Sequence, residues 1–165
     1  CNQTAAPLDA NRWVQSAGRT AVSAQTAVST SPGTSLVLVR GLNVADVRQQ
    51  VRVLLPAVVG RSVGLVARHG GAGGDSMLLG RVVYRSGGPV AQVWARSSGA
   101  WRLLGRHAVT GRAGLLEFAV VGSRLTLRWN GQTAVDVRDT TVGGAGSAGV
   151  RTSGLGCRFD DFLAM

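Results

Sequence analysis

The stretch LEFAVVGSRLTLRWNGQTAVDV, residues 116–137, decides the fold of this chain. Apolar and polar residues alternate along it, and two short breaks, Gly122-Ser123 and Asn130-Gly131, divide it into three segments. Alternation with a period of two is typical of strands that bury one face, and two-residue breaks of this composition are typical of hairpin turns. The stretch therefore predicts a meander of three antiparallel strands.

The first hairpin has a register that the turn determines. A two-residue loop at Gly122-Ser123 puts apolar residues opposite one another on a single face, which is then the buried one. The predicted pairs are Val120 with Leu125, Phe118 with Leu127, and Leu116 with Trp129.

The second hairpin does not follow the same rule. A regular two-residue loop at Asn130-Gly131 would set Leu125 opposite Asp136. A bulge just after the turn restores apolar pairing, with Leu125 opposite Val137 and Leu127 opposite Val135. We therefore predict an irregular second hairpin and a core position for Trp129.

Similar alternation runs through most of the remaining chain. Glycine is abundant (24 residues), proline is scarce (4 residues), and no long helical period appears. Residues 12–16 and 20–23 are predicted to form a hairpin across Ala17-Gly18, and the apolar run at residues 36–39 a strand buried on both faces. Further strands are predicted at residues 27–30, 46–55, 62–69, 77–84, 90–96 and 101–107. About a dozen short strands predict an all-β, two-sheet antiparallel jelly-roll sandwich.

Several segments resemble the concanavalin A-like lectin/glucanase superfamily, and its bacterial laminin-G-like sandwiches in particular. They are NRWVQSAGRTAVSAQTAVST (residues 11–30), SVGLVARHG (62–70), residues 116–137, GSAGVRTSG (146–154) and CRFDDFLAM (157–165). The resemblance covers nearly the whole chain, but it consists of turn and core patterns that specify a scaffold. It implies Phe159 and Phe162 in the core, with a bulge at Asp160-Asp161.

The charge of the chain is strongly positive. It carries 18 basic residues, all arginine, against 8 acidic ones, for a formal net charge of +10. GC-rich coding explains the absence of lysine, and the functional alternative is an anionic partner such as an acidic protein surface, phospholipid headgroups or an acidic polysaccharide. Nucleic-acid binding is not expected, because there is no run of basic residues and no recognisable module.

Two pairs of arginines are candidate contacts for an anionic partner. Arg48 and Arg52, and likewise Arg102 and Arg106, lie four positions apart. Such spacing predicts that the members of each pair share one solvated sheet face, where charge also discourages edge-to-edge aggregation.

The numbering begins at Cys1, which is followed by small and polar residues. We expect residues 1–11 to be a flexible tether and residues 12–165 to be the β-sandwich domain. The start of the chain resembles a mature bacterial lipoprotein, which implies a covalent lipid on Cys1 and a location at the periplasmic or cell-surface side of a bacterial membrane. A disulfide between Cys1 and Cys157, or two free thiols, are the alternatives.

Catalysis is not expected. Glycoside hydrolysis, the activity of the glucanase branch, requires two carboxyl groups about 5–10 Å apart, and the chain has a single glutamate, Glu117. In an extended strand Asp160 and Asp161 point to opposite faces. The glycine-rich segment at residues 70–75 lacks the Lys-Ser/Thr that completes a phosphate-binding loop.

No metal site is assigned. His69 and His107 lack the further ligands that zinc or copper requires. Laminin-G-like relatives bind calcium, and Asp75, Asp139 and Asp160 are its candidate ligands here by residue type alone.

Sugar binding on such sandwiches uses aromatic faces and polar neighbours. The tryptophan and tyrosine residues are Trp13, Tyr84, Trp94, Trp101 and Trp129. Trp94 shares its alternation phase with Gln92 and Arg96, which predicts a polar face. Trp94 and Arg96, and by residue type Tyr84, are the candidate contacts for a glycan or a partner protein.

Two functions follow as expectations. The first is a lipid-anchored accessory subunit that docks on a membrane-protein complex, bioenergetic and photosynthetic complexes included, at the outer face of a bacterial membrane. The alternative is a carbohydrate-binding, lectin-like module or surface adhesin.

Overall fold

The computed structural model describes residues 6–7, 9–23, 26–71 and 75–165. Alternating sequence patterns become strands almost throughout, and no helix occurs in the described residues. The strands are β1 (Ala6–Pro7), β2 (Trp13–Ala17), β3 (Thr20–Ser23), β4 (Thr26–Ser29), β5 (Thr34–Val39), β6 (Val47–Leu54), β7 (Ser62–Gly70), β8 (Ser76–Arg85), β9 (Gly88–Ser97), β10 (Ala100–Ala108), β11 (Ala113–Val121), β12 (Arg124–Trp129), β13 (Gln132–Arg138), β14 (Ser147–Ser153) and β15 (Arg158–Ala164).

These strands form two antiparallel sheets. The eight-stranded sheet has the order β1-β3-β4-β15-β6-β11-β12-β13, and the seven-stranded sheet the order β10-β9-β8-β7-β14-β5-β2. Strands that are distant in sequence lie side by side in both sheets, as in a jelly roll. The predicted all-β jelly-roll sandwich is confirmed.

The register predicted for the meander is confirmed pair by pair. Leu116 faces Trp129, Phe118 faces Leu127, and Val120 faces Leu125 across β11 and β12. After the turn at Asn130 and Gly131, which both have positive φ (51° and 80°), the β12–β13 ladder shifts by one residue between Leu127 and Arg128. The expected bulge therefore lies just after the second turn, and it restores the apolar pairs Leu127–Val135 and Leu125–Val137.

The core lies between the two sheets. The inward residues of the meander, Trp129 included, are buried there, and the Trp129 Nε1–H donates to the Thr110 carbonyl at 2.9 Å. Gly80 of β8 permits close packing of the sheets, because a Cβ at this position would lie 2.7 Å from the Phe118 ring and 2.8 Å from Leu127. Gly80 therefore allows the seven-stranded sheet to lie close to the meander.

The hairpin predicted across Ala17-Gly18 is wrong. β2 pairs with β5 in the seven-stranded sheet, while β3 pairs with β4 in the eight-stranded sheet. The chain crosses between sheets at Gly18, which has φ +61° and packs against the Thr34 carbonyl where a side chain would not fit. Alternation in the sequence predicts both strands correctly, but it does not predict the sheet to which each strand belongs.

The terminal strand β15 joins β4 to β6, and its ladder is irregular between Asp160 and Leu163. Phe159 is buried in the core and the half-buried Phe162 packs against it. The expected bulge at Asp160-Asp161 is present, and Asp161 has φ +52°. Both Asp160 and Asp161 are solvent-exposed.

The N-terminal segment is described only in part. Ala6 and Pro7 form β1 and pair with β3, so this portion of the expected tether is part of a sheet. Cys1 lies outside the described residues. Cys157 is a free thiol in the core that donates to the Ser153 carbonyl at 3.3 Å, and burial raises its pKa.

Candidate functional site

The outer face of the seven-stranded sheet, which is turned away from the other sheet, is the candidate functional site. Strand alternation directs Leu78, Gly80 and Val82 of β8 inward, so Met77, Leu79 and Arg81 point outward. The β8–β9 register sets Leu79 beside Trp94 and Arg81 beside Gln92. The outward positions of β8 and β9 therefore combine apolar and cationic side chains.

A second apolar cluster forms the floor of this face. It consists of Leu36, Leu38, Val66, Met77 and Leu79, all at most 8% exposed, and Trp94 packs on it. We call these five residues the outer cluster. Sheet faces that meet only solvent seldom hold so continuous an apolar surface. Leu36 and Leu38 belong to the run predicted to be buried on both faces, and that prediction is confirmed.

Two tryptophans and three arginines lie above the outer cluster. Trp94 and Trp101 meet edge to face, with ring centroids 6.3 Å apart and an interplanar angle of 86°. The Arg81 guanidinium lies 5.7 Å from the Trp94 ring centroid. Arg96 and Arg151 lie 5.5 Å and 5.1 Å from that of Trp101. These are cation–π distances, and we call the five residues the Trp–Arg site.

Gln92 orients two members of the site. Its side-chain Oε1 accepts a hydrogen bond from Arg81 Nε at 3.0 Å and another from Trp94 Nε1 at 2.9 Å. Gln92 is itself only 2% exposed, so packing holds the amide in place. One buried amide therefore fixes both a cation and an indole ring.

Gly64 provides space at the centre of the site. The β14–β7–β8 register places it between Arg151 and Arg81. A Cβ there would lie 2.7 Å from Arg81 Cβ and 2.7 Å from Leu79 Cδ1. The resulting pocket measures about 220 Å³ and is lined by Leu79, Arg81, Trp94, Trp101 and Arg151.

Burial and neighbouring positive charges lower the pKa values of cationic groups in and beside the site. Burial and the neighbouring Arg151 and Arg85 lower the pKa of Arg81 to about 10, and burial and Arg96 lower the pKa of Arg151. Burial and Arg96 also lower the pKa of His69. Each cause disfavours positive charge, and among the described residues no ion pair neutralises Arg81 or Arg151.

The chemistry available at the Trp–Arg site is that of binding. Indole faces offer stacking surfaces, and guanidinium groups offer charged hydrogen-bond donors. The single glutamate, Glu117, lies on the other sheet, 3.7 Å from Arg128. Within the described strands of the seven-stranded sheet no carboxylate is present to act as an acid or base.

The structure brings two of the three predicted contact residues together. Trp94 and Arg96 both lie on the outer face. Tyr84 continues the inward phase of Leu78, Gly80 and Val82 near the end of β8, so it is on the opposite face of the strand. Trp94 and Tyr84 therefore do not form one surface.

The candidate arginines of the other sets are dispersed. Arg48 and Arg52 share the exposed outer face of the eight-stranded sheet, as predicted, and Arg52 pairs with Asp161 at 3.1 Å. The prediction that Arg102 and Arg106 share a face is wrong, because the β9–β10 ladder shifts between Leu103 and Gly105. This shift turns Arg102 toward the buried Asp139, to which it donates a hydrogen bond.

Sequence reasoning missed Arg81 and Arg151 and did not select Trp101 from the aromatic residues. Arg151 and Arg81 are far apart in sequence and become neighbours only through the pairing of β14, β7 and β8. A usable signal was present, since residues 76–108 contain arginines and tryptophans but no acid.

The described residues contain no group of three His, Cys, Asp or Glu side chains arranged for a metal ion. Of the three candidate calcium ligands, Asp139 is buried and accepts from the Thr141 hydroxyl at 2.6 Å. Asp160 belongs to the bulge of β15, and Asp75 follows residues 72–74, which lie outside the described part. Within that part there is no helix with the length and apolarity needed to span a bilayer.

Comparisons by sequence find no matching family model and no matching curated protein. Comparisons by structure find many similar folds. One is the carbohydrate-binding module CBM66 from Bacillus subtilis, with a TM-score of 0.78 and 15% identity over 92% of this chain and 94% of that one. Another is a prokaryotic β-1,3-1,4-glucanase (lichenase) derived from a mouse hindgut metagenome, with a TM-score of 0.69 and 11% identity over 94% and 93%.

A third is a legume lectin-like domain from Entamoeba histolytica, with a TM-score of 0.68 and 11% identity over 100% of this chain and 97% of that one. Likeness at such low identity concerns the fold alone. The chain thus has the jelly-roll sandwich fold of these three structures, which is the fold that the resemblance in sequence implied.

Proposed function

We propose that this protein is a non-catalytic carbohydrate-binding, lectin-like module that holds a saccharide at the Trp–Arg site. The Trp94–Trp101 pair carries the proposal. Its edge-to-face geometry leaves Trp101 36% exposed beside a pocket whose other walls are guanidinium groups and Leu79. The apolar C–H face of a sugar ring packs on an indole, and the hydroxyl groups around the ring accept hydrogen bonds from the arginines.

The local construction supports this role. Trp94 is fixed by Gln92 and by the outer cluster beneath it, so the site is organised before a ligand arrives. Such preorganisation reduces the entropy lost on binding. Two of the similar structures, a carbohydrate-binding module and a lectin-like domain, are named for this class of function.

Binding to a panel of polysaccharides, measured by isothermal titration calorimetry, tests the proposal. Trp101→Ala is the principal variant, because truncating a tryptophan anchor costs about 2 kcal/mol or more, or about 30-fold in affinity. Tyr84→Ala is the matched control, an aromatic truncation on the opposite face of the same sheet. Thermal unfolding of each variant shows that the fold is retained.

We expect Trp101→Ala and Trp94→Ala to weaken binding and Tyr84→Ala to leave it unchanged. No binding to any polysaccharide would overturn the proposal. Binding that survives both tryptophan substitutions would place the saccharide elsewhere on the molecule.

The accessory-subunit function expected from the sequence depends on acylation of Cys1, which lies outside the described residues. The mass of the protein isolated from its own membranes tests this function, because two acyl chains would add to the calculated mass. Recovery within a stable membrane complex would support it, and an unmodified Cys1 would contradict it.

A further inference from the structure

In the described part of the chain, the three guanidinium groups of the Trp–Arg site have no acidic partners. Ion pairs in the described residues involve Arg52, Arg68, Arg102, Arg124 and Arg128; Arg81, Arg96 and Arg151 take part in none of them. In addition, Arg96 Nε is buried and has no hydrogen-bond partner. A buried charged donor without an acceptor is costly, so Arg96 is held in an environment that disfavours its charge.

The three cations also affect one another unfavourably. Arg96 and Arg151 border the same indole ring. Arg151 contributes to lowering the pKa of Arg81, and Arg96 contributes to lowering that of Arg151. An arrangement that burial and like charge both disfavour is commonly found where a ligand supplies the missing charge.

We propose that the Trp–Arg site binds an acidic saccharide whose carboxylate or sulfate group is held by Arg81, Arg96 and Arg151 while a sugar ring packs against the exposed part of Trp101. This inference rests on the proposed function and specifies its ligand class. Guanidinium groups match both anions, because their planar N–H groups donate two parallel hydrogen bonds to a pair of oxygens.

The dimensions of the pocket favour a sugar unit over a nucleic acid. Its volume of about 220 Å³ is below the roughly 300–1,000 Å³ of pockets for drug-sized ligands, so it accommodates about one ring with its substituent. Proteins that bind single strands of nucleic acid instead use a continuous basic groove with successive stacking platforms. Trp94 and Trp101 are in edge contact and together form one platform.

The experiment measures affinities at about 150 mM salt, which screens long-range attraction between a polyanion and a cationic protein. The probes are oligogalacturonate for carboxylate, sulfated dextran for sulfate, unmodified dextran as the neutral polysaccharide, poly-glutamate as an anion without sugar, and a single-stranded oligonucleotide. The variants are Arg151→Gln, Arg151→Lys and Trp101→Ala. Arg48→Gln, on the exposed face of the other sheet, is the matched control for net charge.

We expect an acidic saccharide to bind at least tenfold more tightly than neutral dextran. Arg151→Gln is expected to reduce that affinity about 10- to 100-fold, the range for a hydrogen bond to a charged group. Arg151→Lys restores it only in part, because an ammonium group lacks the planar fork, and Arg48→Gln changes it less than twofold. The more tightly bound of the two acidic saccharides identifies the anionic group.

The contrary outcomes separate the two proposals. Tight binding of a neutral polysaccharide that requires Trp101 but not Arg151 would overturn the acidic ligand and leave the carbohydrate function standing. Equal binding of poly-glutamate or the oligonucleotide would overturn both and indicate a general anion site. Equal losses with Arg48→Gln and Arg151→Gln would show that net charge alone attracts the polymer.

Discussion

The two sheets use the arginines of their outer faces differently. On the eight-stranded sheet three of these arginines have acidic partners: Arg124 with Asp136 at 2.8 Å, Arg52 with Asp161 at 3.1 Å and Arg128 with Glu117 at 3.7 Å. Hydrogen bonding to Asp136 raises the pKa of Arg124. On the seven-stranded sheet burial and neighbouring cations lower the pKa values of Arg81 and Arg151.

The apolar residues of the two outer faces differ as well. The eight-stranded sheet exposes polar side chains next to its ion pairs, as a solvated face does. The seven-stranded sheet buries the outer cluster under Trp94. Paired charge and solvated polar groups suit a face that meets only water, whereas unpaired charge over a packed apolar floor suits one that receives a ligand.

The largest predicted effect concerns the two apolar layers of the seven-stranded sheet. Leu78 and Leu79 are consecutive on β8 and almost fully buried, Leu78 in the inner core and Leu79 in the outer cluster. We expect Leu78→Ala and Leu79→Ala each to lower the free energy of unfolding by about 2–5 kcal/mol, as measured by urea denaturation. Leu103→Ala, 37% exposed on β10, is the control and should change it by about 0.5 kcal/mol or less.

A loss below about 1 kcal/mol for Leu79→Ala, well short of the usual cost of a core truncation, would show that the outer cluster is not a packed layer. The contrast between the outer faces would then rest on charge alone.

The second prediction compares the two arginines of β10. The carboxylate of Asp139 has a side-chain exposure of 2% and is paired with Arg102, whose own side chain is 59% exposed. Arg102→Gln removes the charged partner of a buried acid, and since water partly replaces it we expect a loss of about 1 kcal/mol. Arg106→Gln, across the bulge, should cost about 0.5 kcal/mol or less. If urea denaturation shows the same loss in the free energy of unfolding for both variants, the two arginines do not have different environments.

The third prediction tests the unpaired cations directly. Without a ligand, Arg151→Gln removes a half-buried charge that repels Arg81, so we expect the variant to gain about 0.5–1 kcal/mol in stability. The melting temperature should rise by about 2 °C. Arg124→Gln, which breaks an ion pair on the other sheet, should shift it slightly downward. If the melting temperature shifts in the same direction in both variants, the arginines of the two sheets do not differ in their electrostatic contribution to stability.

Strand register and the sheet face of a side chain can be predicted from the sequence where they depend on neighbouring residues. In β11 to β13 one face is buried and two short turns limit the register, so pairs such as Phe118–Leu127 follow from alternation alone. The same alternation places Trp94 with Arg96. It also places Tyr84 with Leu78 and Val82, although the sequence interpretation selected Tyr84 by residue type without applying this phase.

The remaining features depend on contacts between distant segments. Arg151 and Arg81 become neighbours across Gly64 only because β14 inserts beside β7, and no local pattern predicts that insertion. The face of Arg102 depends on a one-residue bulge near Leu104. Since a shift of one residue moves every following side chain to the other face, an undetected bulge reverses a prediction that is otherwise sound.

The smallest predicted effect is a dependence of stability on pH at His69. Burial, and secondarily Arg96, lower the pKa of this imidazole below its usual 6.5. Between the two pKa values the unfolded chain binds a proton that the folded protein does not, so stability rises with pH in this window. His69 therefore contributes its full stability above about pH 6.5, and the contribution is lost as the pH falls through the folded-state pKa.

Urea midpoints at pH 7 and pH 5 measure this loss, and His69→Gln should reduce the difference between them. Arg96→Gln removes the Coulombic cause and leaves the larger one, burial, so it should reduce the difference only in part. Removal of the whole difference by Arg96→Gln would mean that repulsion, not burial, dominates at His69. An unchanged difference in His69→Gln would assign the pH dependence to other groups. If Arg96→Gln reduces the pH 7 to pH 5 difference only in part, Arg96 lowers the pKa of His69 as it lowers that of Arg151. The unpaired cations of the seven-stranded sheet then also affect the titration of a neighbouring histidine.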